Sequence, residues 1–104
     1  MAGKNSLLEK LDGLMARFEE VATLITDPAV IADQQRYVRL TKEYKELEDL
    51  MKARKEYADL LGNLEEGKNI LLTESDPEMK EMAREEVAEC ESRLPQLEEE
   101  IKLM

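Results

Sequence analysis

Apolar residues recur every three or four positions along most of the chain, which is the spacing of one face of a helix. In the first segment these positions are Leu7, Leu11, Leu14, Phe18, Val21 and Ile25. Ser6 lies just before this run, and Glu9 follows Ser6 by three residues. This is the spacing of a capping box, in which a hydroxyl at the N-cap and a carboxylate three residues later bond to the first backbone amides. The pattern therefore predicts a first helix over about 7–24 that is capped by Ser6.

Two prolines indicate where further helices begin. Pro28 and Pro77 each follow an aspartate, a residue type that is a good N-cap. A proline at the first helical position is well tolerated, because the amide hydrogen it lacks has no partner inside the helix. Between them a helical period continues without proline through Leu40, Tyr44, Leu47, Leu50, Tyr57, Leu61, Leu64 and Leu71. We predict one long second helix over about 29–72. Gly62 and Gly67 weaken its last third, and a break near Gly62 is the competing interpretation.

The last segment has a coiled-coil-like seam that one proline interrupts. The seam consists of Met79, Ala83, Val87, Cys90, Leu94, Leu97, Ile101 and Met104. Pro95 removes one helical hydrogen bond, but the seam stays in phase on both sides, so we expect a kink and not a stop. We predict a third helix over 76–104. The apolar stripe still running at Met104 is typical of a fragment of a longer chain.

These helices predict an all-α fold, and the 4 Gly and 3 Pro leave too few turns for a sheet. The helix lengths favour an elongated antiparallel three-helix bundle or coiled-coil-like hairpin, with one short and two long helices, in a single domain over 1–104. The first helix is expected to cover residues 30–50 and to leave a thinner two-helix hairpin over 51–84. Because two helices leave apolar surface uncovered, we expect the isolated chain to self-associate through this hairpin at high concentration.

Charge is abundant and unevenly distributed. The 104 residues include 25 acidic and 15 basic ones, and the net charge of -10 with 4% aromatic residues disfavours a nonspecific nucleic-acid binder. Residues 36–55 are nevertheless locally basic. Pairing of these bases with acidic residues of the third helix is the favoured interpretation; the alternative is contact with RNA or an acidic partner. The candidate contact residues are then Lys42, Lys45, Lys52 and Lys55.

The sequence offers little material for catalysis or metal binding. It contains no His, no Gly-rich phosphate loop and no CxxC motif. Cys90 lies on the apolar seam among glutamates, so a small core residue is favoured over a nucleophile. Glu81, Glu85 and Glu89 share a helix face, but helical di-metal sites also require His, and a solvated face is favoured. We expect no enzyme activity, cofactor, metal or small-molecule substrate.

The sequence also predicts where the protein is found. Residues 1–5 are followed by no apolar signal segment, and no stretch approaches about 18 uncharged apolar residues. A single cysteine excludes an internal disulfide framework and fits a reducing compartment. We expect a cytoplasmic protein with no signal peptide and no membrane span.

Two runs of residues resemble the N-terminal domain of bacterial class I peptide chain release factors. Residues 31–44 read IADQQRYVRLTKEY, and residues 76–83 read DPEMKEMA, which is the more specific run. The opening helix agrees, with LLEKL at 7–11 and RFEE at 17–20. The resemblance extends over essentially the whole chain and favours the type that reads UAA and UAG.

The resemblance implies a noncatalytic role in translation termination on the ribosome. Such factors recognise a stop codon and trigger hydrolysis of peptidyl-tRNA, but the codon-reading tripeptide and the Gly-Gly-Gln motif belong to later domains, and this chain has no Gly-Gly pair. The helical domain is implied to project toward the GTPase-associated region of the large subunit and its L11 protein, and to be linked to the class II release factor GTPase. Pro95 departs from the family pattern, and its kink bears on how the domain joins the core.

Two other functions stay open from the residues alone. One is a free-standing coiled-coil interaction module or chaperone-like scaffold, which needs no further chain. The other is a tRNA-binding helical arm like that of seryl-tRNA synthetase, which the net charge of -10 disfavours. A Gly-Gly-Gln motif downstream of Met104 would favour the release factor over both.

Overall fold

The computed structural model describes residues 5–104, and its regular secondary structure there is entirely helical. Helix α1 spans Ser6–Leu24, α2 spans Pro28–Ala32, α3 spans Gln34–Thr73 and α4 spans Pro77–Lys102. The predicted all-α class is therefore confirmed. The prediction that the chain starts without a signal peptide concerns residues 1–4 above all, and these lie outside the described residues.

The N-terminus of α1 is capped by a residue other than the predicted one. Asn5 has extended backbone angles, and its Oδ1 accepts a hydrogen bond of 2.9 Å from the amide of Leu8. The capping box assigned to Ser6 and Glu9 is wrong, because Ser6 is already the first helical residue. Asn and Ser are about equally good N-caps, so the residue one position earlier takes the role.

The predicted continuous helix over 29–72 is wrong at Asp33. Asp27 caps α2 as expected, with its Oδ1 accepting from the amide of Ala29 at 2.9 Å. Asp33 then adopts extended angles, φ -96° and ψ 95°, and its Oδ1 accepts from the amide of Arg36 at 3.2 Å. A short polar side chain that bonds to the following backbone competes with helix continuation, and here it ends α2 and begins α3.

The two long helices are otherwise continuous. Helix α3 runs through Gly62, so the competing prediction of a break there is wrong. Asp76 begins α4 as predicted, with its Oδ1 accepting from the amide of Glu78 at 3.0 Å. Helix α4 continues through Pro95, as the unbroken apolar seam predicted.

The chain forms two compact units, one ending at Arg54 and the other beginning at Lys55. In the first unit α1 lies antiparallel to the first part of α3, since Asp12 contacts Arg54 and Arg17 contacts Glu43. Its core cluster consists of Val21, Val30, Leu40 and Leu47, with Leu14, Phe18, Leu24, Ile25, Tyr37, Tyr44 and Leu50 packed against it. The prediction that the first helix covers residues 30–50 is thereby confirmed.

In the second unit the remainder of α3 lies antiparallel to α4. Arg93 of α4 contacts Glu56 of α3, and Gly67, further along α3, lies beside Val87, nearer the start of α4. The buried apolar side chains of this unit are Tyr57, Ala83, Val87, Cys90, Leu94, Leu97 and Ile101. Within the predicted hairpin over 51–84, Tyr57 and Ala83 are buried, whereas Leu72, Met79 and Met82 stay exposed.

Candidate functional site

The four lysines predicted as partner contacts all lie exposed on α3. Lys45 Nζ is 3.7 Å from Glu48 Oε1, and Lys55 Nζ is 3.0 Å from Asp59 Oδ2. Both partners belong to the next turn of the same helix, not to the last helix as the favoured interpretation had it. Lys42 and Lys52 have no ion pair within the described residues.

Two arginines extend this basic surface within the first unit. Arg36 and Arg39 are exposed, and neither side chain has an ion pair in residues 5–104. With Lys42, Lys45 and Lys52 they form a band of exposed positive charge that winds around the first part of α3, which we call the basic face of α3. No fixed partner neutralises most of these charges, so they can attract phosphates or acidic side chains, although salt screens exposed charges strongly.

Other cations of the same unit hold helices together instead. The Arg17 guanidinium donates two hydrogen bonds of 2.6 Å to Glu43, from Nε to Oε2 and from Nη2 to Oε1. This bidentate contact holds the pKa of the Glu43 carboxyl below its usual range, against a smaller opposing effect of burial. Arg54 Nε similarly lies 2.6 Å from Asp12 Oδ1. Arg17 and Arg54 are thus structural, and they differ in this from the basic face of α3.

Reactive groups are scarce in the part of the chain that the structure describes. Within residues 5–104 no three His, Cys, Asp or Glu side chains are placed to hold a metal ion. Cys90 is buried, and burial raises the pKa of its thiol, with further contributions from the charges of Glu86 and Glu89. A raised pKa suppresses the nucleophilic thiolate, so the geometry supports the core role predicted for Cys90.

Among the described helices, none combines the length and the apolar character that crossing a lipid bilayer requires.

A groove of about 360 Å³ lies between α3 and α4 in the second unit. Small, apolar and acidic residues line it together with one amide side chain: Asn63, Glu66, Gly67, Ile70, Met79, Met82, Ala83 and Glu86. Gly67 and Ala83 are buried and form its floor, whereas Met79 and Met82 are 46% and 70% exposed. We call this the α3–α4 groove; the sequence did not predict it as a site.

The groove exists because Gly67 lets the two helices approach closely. A Cβ atom at this position would lie 2.8 Å from Val87 Cγ2 and 3.5 Å from the carbonyl oxygen of Ala83. The sequence alone predicts Gly67 only as a weak point of its helix. The signal that could have identified it is Ala83, a small seam residue one turn before Val87 on the facing helix.

Similarity to known proteins extends over essentially the whole chain. Residues 14–104 match the family model described as the PCRF domain. Over 104 residues the chain is 72% identical to "Peptide chain release factor 1" of Bacteroides thetaiotaomicron and 73% identical to that of Bacteroides fragilis. The protein of the same name from Parabacteroides distasonis is 62% identical over 101 residues.

The chain spans only part of these relatives. All of its residues align with the two Bacteroides proteins, but they cover 28% of the length of each, and the matched 97% of the chain covers 27% of the Parabacteroides protein. No solved structure matches the chain.

Proposed function

The chain belongs to the PCRF domain family, and we propose that it is the noncatalytic helical domain of a class I peptide chain release factor that acts in translation termination. The observation that carries this proposal is the identity of 72% over all 104 residues to a protein named as such a factor. The two runs that resemble the family, at 31–44 and 76–83, lie within the residues that match the PCRF domain. Action on the ribosome would take place in the cytoplasm.

A noncatalytic role agrees with the chemistry of the described residues. The buried thiol of Cys90 has a raised pKa, and the sequence has no His and no Gly-Gly pair that a Gly-Gly-Gln motif would need. Codon reading and peptidyl-tRNA hydrolysis would then belong to the rest of the longer factor. The relatives are long enough for this, since the chain covers 28% of their length.

The more specific part of the proposal concerns position on the ribosome. We propose that this domain projects toward the GTPase-associated region of the large subunit and its L11 protein, and that it is linked to the class II release factor GTPase. The basic face of α3 supports contact with ribosomal RNA or an acidic protein surface, because Arg36, Arg39, Lys42 and Lys52 are exposed without ion pairs in the described chain.

Deleting residues 1–104 from the full-length factor tests the proposal. Peptide release at UAA and UAG codons should remain measurable, because neither the codon-reading nor the hydrolytic motif is removed. The response to the class II GTPase, measured as the rate of factor recycling, should be lost. If the deletion instead abolishes hydrolysis on ribosomes that still bind the factor, the domain is not a noncatalytic one.

Charge reversal tests the basic face of α3 in the same full-length factor. Lys42→Glu with Lys45→Glu should slow recycling if these lysines meet a partner. Lys10→Glu with Lys68→Glu is the matched control, since it changes the net charge equally at two exposed lysines away from that face. Equal rates for both double variants would contradict the partner contact and leave the lysines a solvated surface.

A further inference from the structure

We propose that the α3–α4 groove binds a basic amphipathic helix of a partner protein. This inference concerns a surface other than the basic face of α3, and it does not depend on the proposed role in termination. It rests on three properties of the groove: its exposed methionines, its acidic rim and the charge that opposes a second copy of the chain.

The apolar lining suits anchoring side chains on one face of a helix. Met79 and Met82 stand at the edge of the groove, 46% and 70% exposed, above the buried floor of Gly67 and Ala83. Methionine side chains are flexible and polarisable, so they adapt to apolar partners of different shape. A volume of about 360 Å³ receives individual side chains, which matches a helix that inserts anchors at every third or fourth position.

The rim selects for positive charge. Glu66 and Glu86 line the groove, and neither has an ion pair within the described residues. Residues 63–86 contain eight acidic and three basic residues, and Arg84 is already bound to Glu81 at 2.9 Å. A partner with Lys or Arg beside its apolar anchors therefore gains charge complementarity on both sides of the groove.

The same charge disfavours the other occupants. A second copy would bring an identical acidic rim against the first, and chains of net charge -10 repel each other, so charge opposes the self-association that the apolar surface alone predicts. A small molecule would find no buried polar side chain among the lining residues to orient it. The partner that fits best is thus a cationic helix.

Binding of a model helix to the 104-residue chain tests the proposal. The probe is a fluorescein-labelled peptide of about 18 residues, roughly five helical turns, with Leu on one face and Lys elsewhere. A second peptide carries Glu in place of each Lys. Fluorescence anisotropy should show saturable binding of the lysine peptide that weakens as salt is raised, and no binding of the glutamate peptide.

Two pairs of variants localise the binding to the groove. Met82→Ser should weaken binding about tenfold, whereas Val38→Ser, which alters an exposed apolar residue of the first unit, should not. Glu66→Gln with Glu86→Gln should weaken binding several-fold and reduce its salt dependence. Glu19→Gln with Glu46→Gln removes the same charge from exposed positions of the first unit and should have no comparable effect.

Several results would overturn the inference. Equal binding of both peptides would show apolar adhesion without charge selection. Equal effects of the two charge-removing variants would show that only the net charge attracts the peptide. If sedimentation equilibrium shows that the chain dimerises, and Met82→Ser abolishes the dimer, the groove would be assigned to a second copy instead.

Discussion

Gly67 lies so close to Val87 that a Cβ atom on the glycine would come within 2.8 Å of Val87 Cγ2. Real Cβ atoms essentially never show such a short contact. The valine is β-branched and has one strongly preferred rotamer in a helix, so it is poorly able to turn aside. Close packing of α3 against α4 therefore requires glycine at this position, whereas a Cβ atom on Gly62, in the same helix, would meet nothing within 4 Å.

Alanine substitutions at these two glycines should have opposite effects on stability. Gly62→Ala should raise the free energy of unfolding by about 1 kcal/mol, because alanine favours the helix and meets open space. Gly67→Ala gains the same helix preference but overpacks the contact between α3 and α4. We therefore expect the free energy of unfolding to fall by about 1–2 kcal/mol. Urea unfolding followed by circular dichroism measures both.

A rescue experiment attributes the loss at Gly67 to this one contact. Val87→Ala removes the methyl group that the new Cβ would strike, so the double variant should be more stable than the sum of the two single effects. If Gly67→Ala stabilises the chain as much as Gly62→Ala does, the close approach of the two helices is not maintained in solution.

The contact between Arg17 and Glu43 predicts a dependence of stability on pH. Because Arg17 lowers the pKa of Glu43 in the folded chain, the contact contributes stability above the ordinary value of 4.5 and loses it as the pH falls through the folded pKa. The stability advantage of the native chain over Glu43→Gln should therefore be constant near neutral pH and shrink below about pH 4.5. Urea unfolding at a series of pH values measures it.

The general effect of charge must be separated from this contact, since acid also reduces the net negative charge of the chain. Glu46→Gln removes an exposed carboxylate without an ion pair from the same helix and gives that background. An advantage over Glu43→Gln that stays the same from pH 7 to pH 3, after this correction, would show that the contact does not perturb the carboxyl.

The start of α1 offers a test of which residue caps the helix. Asn5→Ala should lower the free energy of unfolding by about 1 kcal/mol, because its Oδ1 accepts from the amide of Leu8. Ser6→Ala should cost less than about 0.5 kcal/mol, since Ser6 is exposed and lies inside the helix. Thermal unfolding of the two variants compares them directly. A larger loss of stability for Ser6→Ala than for Asn5→Ala would show that Ser6 caps the helix after all.

Cys90 should react slowly with thiol reagents in the folded chain. It is 2% exposed, and its raised pKa leaves little thiolate at pH 8. We expect a reaction with Ellman's reagent at least about a hundredfold slower than in urea, because the thiol must wait for local opening. Cys90→Ala combined with Ser92→Cys places the thiol at an exposed position and should react rapidly without denaturant. Similar native rates for both chains would contradict the burial of Cys90.

Much of the fold was predictable because the responsible signals are local. An aspartate before a proline specifies a helix start within a few residues, and both such starts, at Asp27 and Asp76, are confirmed. The break at Asp33 escaped prediction because neither Pro nor Gly marks it. There the choice between helix and cap depends on one side chain bonding to the amide of Arg36.

The charged contacts were less predictable because they depend on tertiary placement. Arg17 and Glu43 are far apart in the sequence, and only the packing of α1 on α3 brings them together. The lysines were expected to pair across helices, yet Lys45 and Lys55 bind acids on their own helix. The role of Gly67 could not be predicted for the same reason, because it depends on the close contact with Val87 of the facing helix.

Pro95 interrupts the hydrogen-bond ladder of the last helix. A proline has no amide hydrogen to donate, so the carbonyl of Glu91 lacks its helical partner although α4 continues to Lys102. Local opening of the turns after Pro95 can therefore stop at the proline, where the hydrogen-bond ladder already lacks one bond. We expect the turns that carry the buried Leu97 and Ile101 to open as one segment, so that their amide hydrogens exchange together while those of the preceding turns stay protected.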